Sequence, residues 1–187
     1  MITVRETATG IYAAWRLALT DRDALDWLDV SVSGFWRSFY AALIVLPAYA
    51  ILVGVGFAEG PHDYSLGRVV VVQGIAYVLD WTAFPLAAFY ATRAMGRERH
   101  FIRLIVALNW AKVLEAFVMV PAAMLAVAAP AGLLGVLPLA AFLAVLVYHW
   151  YVTRAALDVS GAEAVMVVLM HIAIGVMITV WAQALMR

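Results

Sequence analysis

Cysteine is missing from all 187 residues, which removes disulfides, thiolate zinc sites, iron–sulfur clusters and cysteine nucleophiles together. Charge is scarce: 13% of residues are Asp, Glu, Lys or Arg, against about a quarter in an ordinary globular domain. The 12 basic and 12 acidic residues cancel, so no broad basic face exists and no nucleic-acid partner is expected. G-x-S-x-G, H-E-x-x-H, P-loop and G-x-G-x-x-G patterns are absent too. No cofactor or metal is called for, and a non-enzymatic role is the expectation. A cleavable signal peptide is not expected either, because Arg16 interrupts the first apolar stretch, Ile11 to Leu19, and no cleavage site follows. What the chain has in excess is apolar surface, 67% of residues with a mean hydropathy of +0.98. Neither disorder nor a soluble core accounts for that balance.

Five apolar stretches approach the length of about 20 residues that a bilayer-spanning helix needs. They are Trp36 to Phe57, Val69 to Thr92, Leu104 to Ala128, Ala131 to Val152 and Ala164 to Met186. The expected fold class is therefore all-α, a polytopic transmembrane helical bundle of five spans over residues 36–187. Residues 1–35 form a cytoplasmic, interfacial amphipathic segment before it. Only Ala129 and Pro130 separate the third and fourth stretches, so a tight hairpin is expected, with Pro130 and Gly132 as breakers. A single re-entrant pair is the alternative. Pro47, Pro85, Pro121 and Pro138 fall inside the first four stretches and predict bent helices, without demanding a moving gate. No internal repeat is visible, which argues against inverted-repeat architecture, although a homo-oligomer would supply a second half.

Arginine placement sets the expected orientation. Arg5, Arg16, Arg22, Arg37, Arg93, Arg97, Arg99, Arg103 and Arg154 fall on one side, and Arg68 and Arg187 on the other. The positive-inside rule then places the N-terminus in the cytoplasm of a bacterial cell and the C-terminus outside the inner membrane.

Ahead of the first span, Val4, Ala8, Ile11, Tyr12, Trp15 and Leu19 recur at helical spacing. This stripe reads as a helix lying in the membrane interface with Trp15 as its anchor, or alternatively packed on a partner protein. Thr20 and Asp23 suggest a cap for a second short turn. Asp21, Asp23, Asp26 and Asp29 read as a solvated acidic face, since the stretch lacks the glycine and distal glutamate of a calcium loop. Arg93, Arg97, Arg99 and Arg103, with His100, lie on the same side and are expected to meet these aspartates or anionic lipid headgroups.

Inside the apolar stretches lie Asp80, Asn109, Lys112, Glu115 and His171. Lys112 is the only lysine of the chain. At 1.5 Å per residue, Asp80 is about 18 Å from the cytoplasmic end of its span, and Asn109, Lys112 and Glu115 about 8, 12 and 17 Å. His171 is at about 11 Å. The five are expected to meet near mid-membrane, with Lys112 between Asp80 and Glu115. Two carboxylates and one ammonium leave one excess negative charge, so either an acid is protonated or Asn109, Gln73 or His171 compensates. His149, in Tyr148-His149-Trp150-Tyr151, reads as an interfacial residue. Haem ligation by His149 and His171 is disfavoured because their depths differ by about a turn and no second pair exists. A packing ion pair and a proton or substrate pathway both remain open. The first functional reading is an accessory or scaffold subunit of a membrane assembly. The second is a small proton-coupled transporter or channel, and a membrane-embedded enzyme is third. A dry, fully paired cluster favours the scaffold and a cavity reaching it favours transport.

Several short motifs carry a resemblance: Ser33-Gly34-Phe35-Trp36 running on through Arg37-Ser38-Phe39, Trp81 with Phe84-Pro85, and Asn109-Trp110. With five spans, these resemble the Yip1-like group of small polytopic membrane proteins and uncharacterised bacterial inner-membrane proteins of this length. The resemblance implies an accessory membrane role, with lipids, a second copy or another membrane protein as partners. It assigns no functional residue.

Overall fold

The computed structural model describes residues 2–59, 65–128 and 135–186, and these are almost entirely helical, with no strand among them. Seven α-helices are described: α1 Val4–Ala18, α2 Val32–Ser38, α3 Tyr40–Glu59, α4 Leu66–Ala94, α5 Phe101–Ala128, α6 Val136–Leu157 and α7 Gly161–Met186. Short 3-10 turns, Arg22–Trp27 and Glu98–His100, precede α2 and α5.

Five helical stretches are long and apolar enough to cross a membrane: Val32–Ala58, Leu66–Ala94, Glu98–Val127, Val136–Leu157 and Gly161–Met186. No more than 33% of the most apolar window of any of them is buried by the rest of the chain. Apolar side chains such as Leu43, Val70, Phe117, Val147 and Met177 point outward. Apolar surface of that extent marks contact with a membrane or with another protein.

The first span is not one helix from Trp36, as expected, but α2 and α3 joined at a break at Phe39. Ser31 caps α2 by accepting from the Gly34 amide at 3.0 Å, so the helix begins at Val32, four residues before Trp36. Ser38 then turns its hydroxyl onto the Phe35 carbonyl at 2.7 Å, one turn back in the helix that ends there. Pro47, Pro85 and Pro121 lie inside α3, α4 and α5. Pro138 does not bend a helix interior, because α6 starts at Val136 and places it in the first turn. Amides there have no intrahelical partner to lose. The expected hairpin at Ala129 and Pro130, with Ala131 as the start of the fourth span, lies outside the described residues.

α5 is the central element at the end of the molecule that carries α1. Its residues from Leu104 through Ala111 are all buried, enclosed by α1, α2, α3 and α6. α6 packs on α7 and α7 on α4, so the helices follow one another around the bundle as α3, α5, α6, α7, α4. The seam between α3 and α4 closes through the rings of Tyr49 and Tyr77, 4.6 Å apart, and through two hydrogen bonds: the Tyr49 hydroxyl to Gln73 Oε1 at 2.8 Å and the Tyr77 hydroxyl to the Ala42 carbonyl at 2.5 Å.

α1 is a cap across that end. A reciprocal capping box starts it, the Glu6 amide donating to Thr3 Oγ1 at 3.1 Å and the Thr3 amide to Glu6 Oε2 at 2.8 Å. The helix has two apolar faces where one stripe was expected. Gly10, Ala13, Ala14 and Leu17 are buried against the bundle, whereas Val4, Tyr12, Trp15 and Leu19 of the expected stripe point outward. Small residues made the inner face hard to see, since they allow close approach without adding hydrophobic bulk. Gly10 shows this most clearly: a Cβ there would sit 2.3 Å from Trp110 Cε2. Arg37 clips α1 to α2, its Nη2 lying 3.0 Å from Glu6 Oε1 and 2.5 Å from Asp29 Oδ2. Hydrogen bonds from Ser31, reinforced by Arg37, hold the Asp29 carboxyl below its ordinary value. A value lower when folded than when unfolded stabilises at neutral pH, and that gain fades as pH falls through the folded value.

The end of α1 corrects the cap expected at Thr20. The Asp21 amide returns to the Arg16 carbonyl at 3.0 Å and the Thr20 amide to Leu17 at 3.0 Å, a Schellman closure. Thr20 therefore takes the left-handed conformation with φ 63, and Asp21 caps the following turn through the Asp23 amide. A β-branched residue is strained at that φ. Thr20→Gly keeps the carbonyl that accepts from the Tyr151 hydroxyl. Thr20→Gly is expected to stabilise the protein by about 0.5–1 kcal/mol, after the entropy cost of glycine, as a rise in thermal midpoint in detergent.

Candidate functional site

Asp80 lies at the middle of α4, fourteen residues from each end. Its Oδ2 is 2.6 Å from the Nζ of Lys112 on α5, which also reaches the Asp80 carbonyl oxygen at 3.4 Å. The same ammonium sits 4.6 Å from the ring centroid of Trp81. A carboxylate, a carbonyl and an aromatic face thus enclose one cation.

Glu115 is one turn further along α5 but does not share Lys112. It pairs instead with Nε2 of His149 on α6. The His149 ring stacks on that of His171 from α7, centroids 5.1 Å apart and planes 15° apart. His171 in turn stacks on Phe84 of α4 at 4.1 Å. Asp80, Lys112, Glu115 and His171 therefore do meet, but in two pairs, Asp80 with Lys112 and Glu115 with His149, and His171 stacks against the second. His149 is deeper than expected because α6 continues to Leu157, eight residues beyond it, about 12 Å. The signal for it was the surplus carboxylate, which required another partner.

Asn109 does not join the set. Its Nδ2 donates to Ser38 Oγ at 2.8 Å, buried between α5 and the end of α2. Residues 109, 112 and 115 drift about 60° per step around α5, so the outer two diverge by about 120°. Each faces a different neighbour: Asn109 faces α2, Lys112 faces α4 and Glu115 faces α6. Gln73 is likewise held elsewhere, by Tyr49. The residues of the short motifs are explained by contacts of this kind. Trp81 and Phe84 line the polar set, Asn109 ties α5 to Ser38, and Gly34 has no room for a Cβ, which would lie 2.1 Å from the Asp29 carbonyl oxygen.

The set is not dry. A cavity of about 230 Å³ is bordered by Asp80, Lys112, Glu115, His149 and His171. A vestibule of about 560 Å³ opens between α3, α4 and α7 at the end remote from α1, and its inner limit is also Asp80. The Asp80 side chain is 42% exposed and that of Lys112 13%, so the carboxylate faces the vestibule and the ammonium lies behind it. An apolar groove of about 650 Å³ runs along the α3–α4 seam and shares Tyr49, Val53, Val69 and Gln73 with the vestibule. No group of three His, Asp or Glu side chains placed to hold a metal ion occurs among the described residues.

At the other end, the arginines are distributed differently from the acidic face expected to receive them. Arg103 donates from Nε to the Ala156 carbonyl at 2.6 Å, satisfying the last turn of α6. Arg93 lies over the Phe89 ring at 5.6 Å, and Arg93 and Arg99 are exposed while Arg97 is half-buried. Two of the aspartates take other partners: Asp21 pairs with Arg16 at 2.6 Å and Asp29 with Arg37 at 2.5 Å. Trp15 is exposed on the outer face of α1.

The fold and this set define a class: an all-helical chain with five membrane-length helices and a mid-helix ionic network open to one end. Comparison with protein-family models, curated proteins and solved structures finds no match to the chain. The resemblance to the Yip1-like group therefore rests on the quoted motifs alone.

Proposed function

We propose that this chain is a small multi-pass carrier of a bacterial inner membrane, in which passage is coupled to proton movement at Asp80 and Lys112. The observation that carries the reading is the vestibule ending on the half-exposed Asp80 carboxylate, with Lys112, Glu115, His149 and His171 around the next cavity. A charge pair whose only role is packing gains nothing from an aqueous approach, whereas a carrier requires one. Protonation of Asp80 would neutralise the carboxylate and release Lys112. A neutral imidazole carries one nitrogen that donates a hydrogen bond and one that accepts, so His149 and His171 can extend a hydrogen-bonded path from the pair. With α1 in the cytoplasm, as the arginine distribution favours, the vestibule opens to the outside. Trp15 and the exposed arginines then lie at the inner headgroup level, with membrane lipid as their partner and a second copy as a further one.

Proteoliposomes holding the purified chain and a pH-sensitive dye test this reading under an imposed potential. Proton entry well above that of protein-free vesicles is expected, and Asp80→Asn should lower it at least tenfold at equal insertion. Flux equal to that of empty vesicles, or unchanged by Asp80→Asn, would favour the accessory or scaffold reading. The outward stripe of Tyr12, Trp15 and Leu19 would then be the surface to pursue.

A further inference from the structure

The environment of Lys112 has a property that a simple ion pair does not need. Its ammonium lies 2.6 Å from a carboxylate oxygen, 3.4 Å from a backbone carbonyl and 4.6 Å from the centroid of an indole. Those are the groups from which sites for weakly hydrated organic cations are built. The aromatic wall extends beyond Trp81. Tyr77 lies 6.1 Å from Trp81 and Tyr49 lies 4.6 Å from Tyr77, centroid to centroid. Both tyrosine hydroxyls are already donating, to the Ala42 carbonyl and to Gln73, so what remains for recognition is their ring faces.

Charge selects the sign of a guest. Among the described residues, Asp80 is the only ionisable acid or base lining the vestibule apart from the Tyr49 phenol, and its polar companions Gln73, Thr179 and Gln183 are neutral. An anion approaching from that side meets the carboxylate first, with Lys112 shielded behind it. A cation meets the carboxylate directly. Shape selects the rest of the guest. The groove along α3 and α4 has no charged side chain among its described lining, and it borders the vestibule at Tyr49, Val53, Val69 and Gln73. A bulky apolar body fits there while its positive centre reaches Asp80.

We propose that the Asp80 site takes a lipophilic organic cation and that the Lys112 ammonium occupies the same site in its absence. This rests on the carrier reading above and names the chemical class of its substrate. Binding moves Lys112 off Asp80, into the cavity it shares with Glu115, so occupancy by guest and by lysine is mutually exclusive. No covalent step is involved.

Tetraphenylphosphonium is the probe, with tetraphenylborate as the anion of the same shape, titrated into purified full-length protein in lipid nanodiscs. Calorimetry is the readout, with quenching of tryptophan fluorescence as a second. The parent is expected to bind tetraphenylphosphonium saturably and not tetraphenylborate. Lys112→Met should bind the cation at least tenfold more tightly, because the internal competitor is gone, and Asp80→Asn should abolish saturable binding in either background. If Lys112→Met is not monodisperse, the parent, Asp80→Asn and the two probes decide the matter alone. Equal binding of both probes, binding unaffected by Asp80→Asn, or no saturable binding of the cation overturns the proposal. Proton flux that depends on Asp80 without cation binding would sink this inference and leave the carrier reading standing. Cation binding without flux would do the reverse.

Discussion

Lys112→Met is expected to destabilise the protein by about 3 kcal/mol, the low end of what breaking one partner of a buried ion pair costs. The methionine keeps much of the volume, so the loss is electrostatic. Asp80 retains its place at the centre of α4 and loses both the ammonium at 2.6 Å and the hydrogen bonds that came with it. The cost stays near the low end for two reasons. The carboxylate is 42% exposed, so the vestibule offers it some solvation, and it can take up a proton instead of remaining charged. The double change Lys112→Met with Asp80→Leu should restore most of the stability, because both charges leave together and the replaced volume is apolar. Thermal unfolding in detergent, followed for the two single variants and the double as a cycle, measures the coupling. A single variant as stable as the parent would show that water in the cavity, rather than Asp80, solvates Lys112.

The second large effect is expected far from the ionic network. Gly10→Ala places a methyl 2.3 Å from Trp110, and the indole ring cannot yield easily because Trp110 is itself buried beneath α1. Overpacking of this kind costs about 1–3 kcal/mol. Here it should act mainly by lifting α1, since the five long helices are held by contacts of their own. The expected result is faster tryptic cleavage at Arg16 and Arg22 with the rest of the chain resistant. Gly10→Ala combined with Trp110→Leu should recover protection by making room for the methyl. Cleavage of the single variant at the parent's rate would mean that α1 tolerates a shift of more than an ångström, and that its seat on α5 is loose.

Much of this protein is determined by its sequence alone. The apolar runs are long enough to cross a membrane, and their polar interruptions are few enough to name. Asp80, Lys112, Glu115 and His171 stand out because each is costly in hydrocarbon, so each needs a partner within reach. Local signals such as Ser31 and Thr3 also fix where helices begin, through side chains that reach backbone amides three residues on. The partners themselves were decided by tertiary structure. Three polar residues on one helix face three different neighbours once α2, α4 and α6 are placed around α5, which sends Asn109 to Ser38 and gives Glu115 to His149 rather than Lys112. His149 could not be recognised while the end of α6 was uncertain, since a shift of five residues moves a side chain about 7.5 Å along the axis. The inner face of α1 was equally hidden: Gly10, Ala13 and Ala14 add little to any hydrophobic pattern, and their value lies in letting two backbones approach. Periodicity reports which residues avoid water, but which of them touch depends on the order of helices around the bundle, and that order is set by long-range packing.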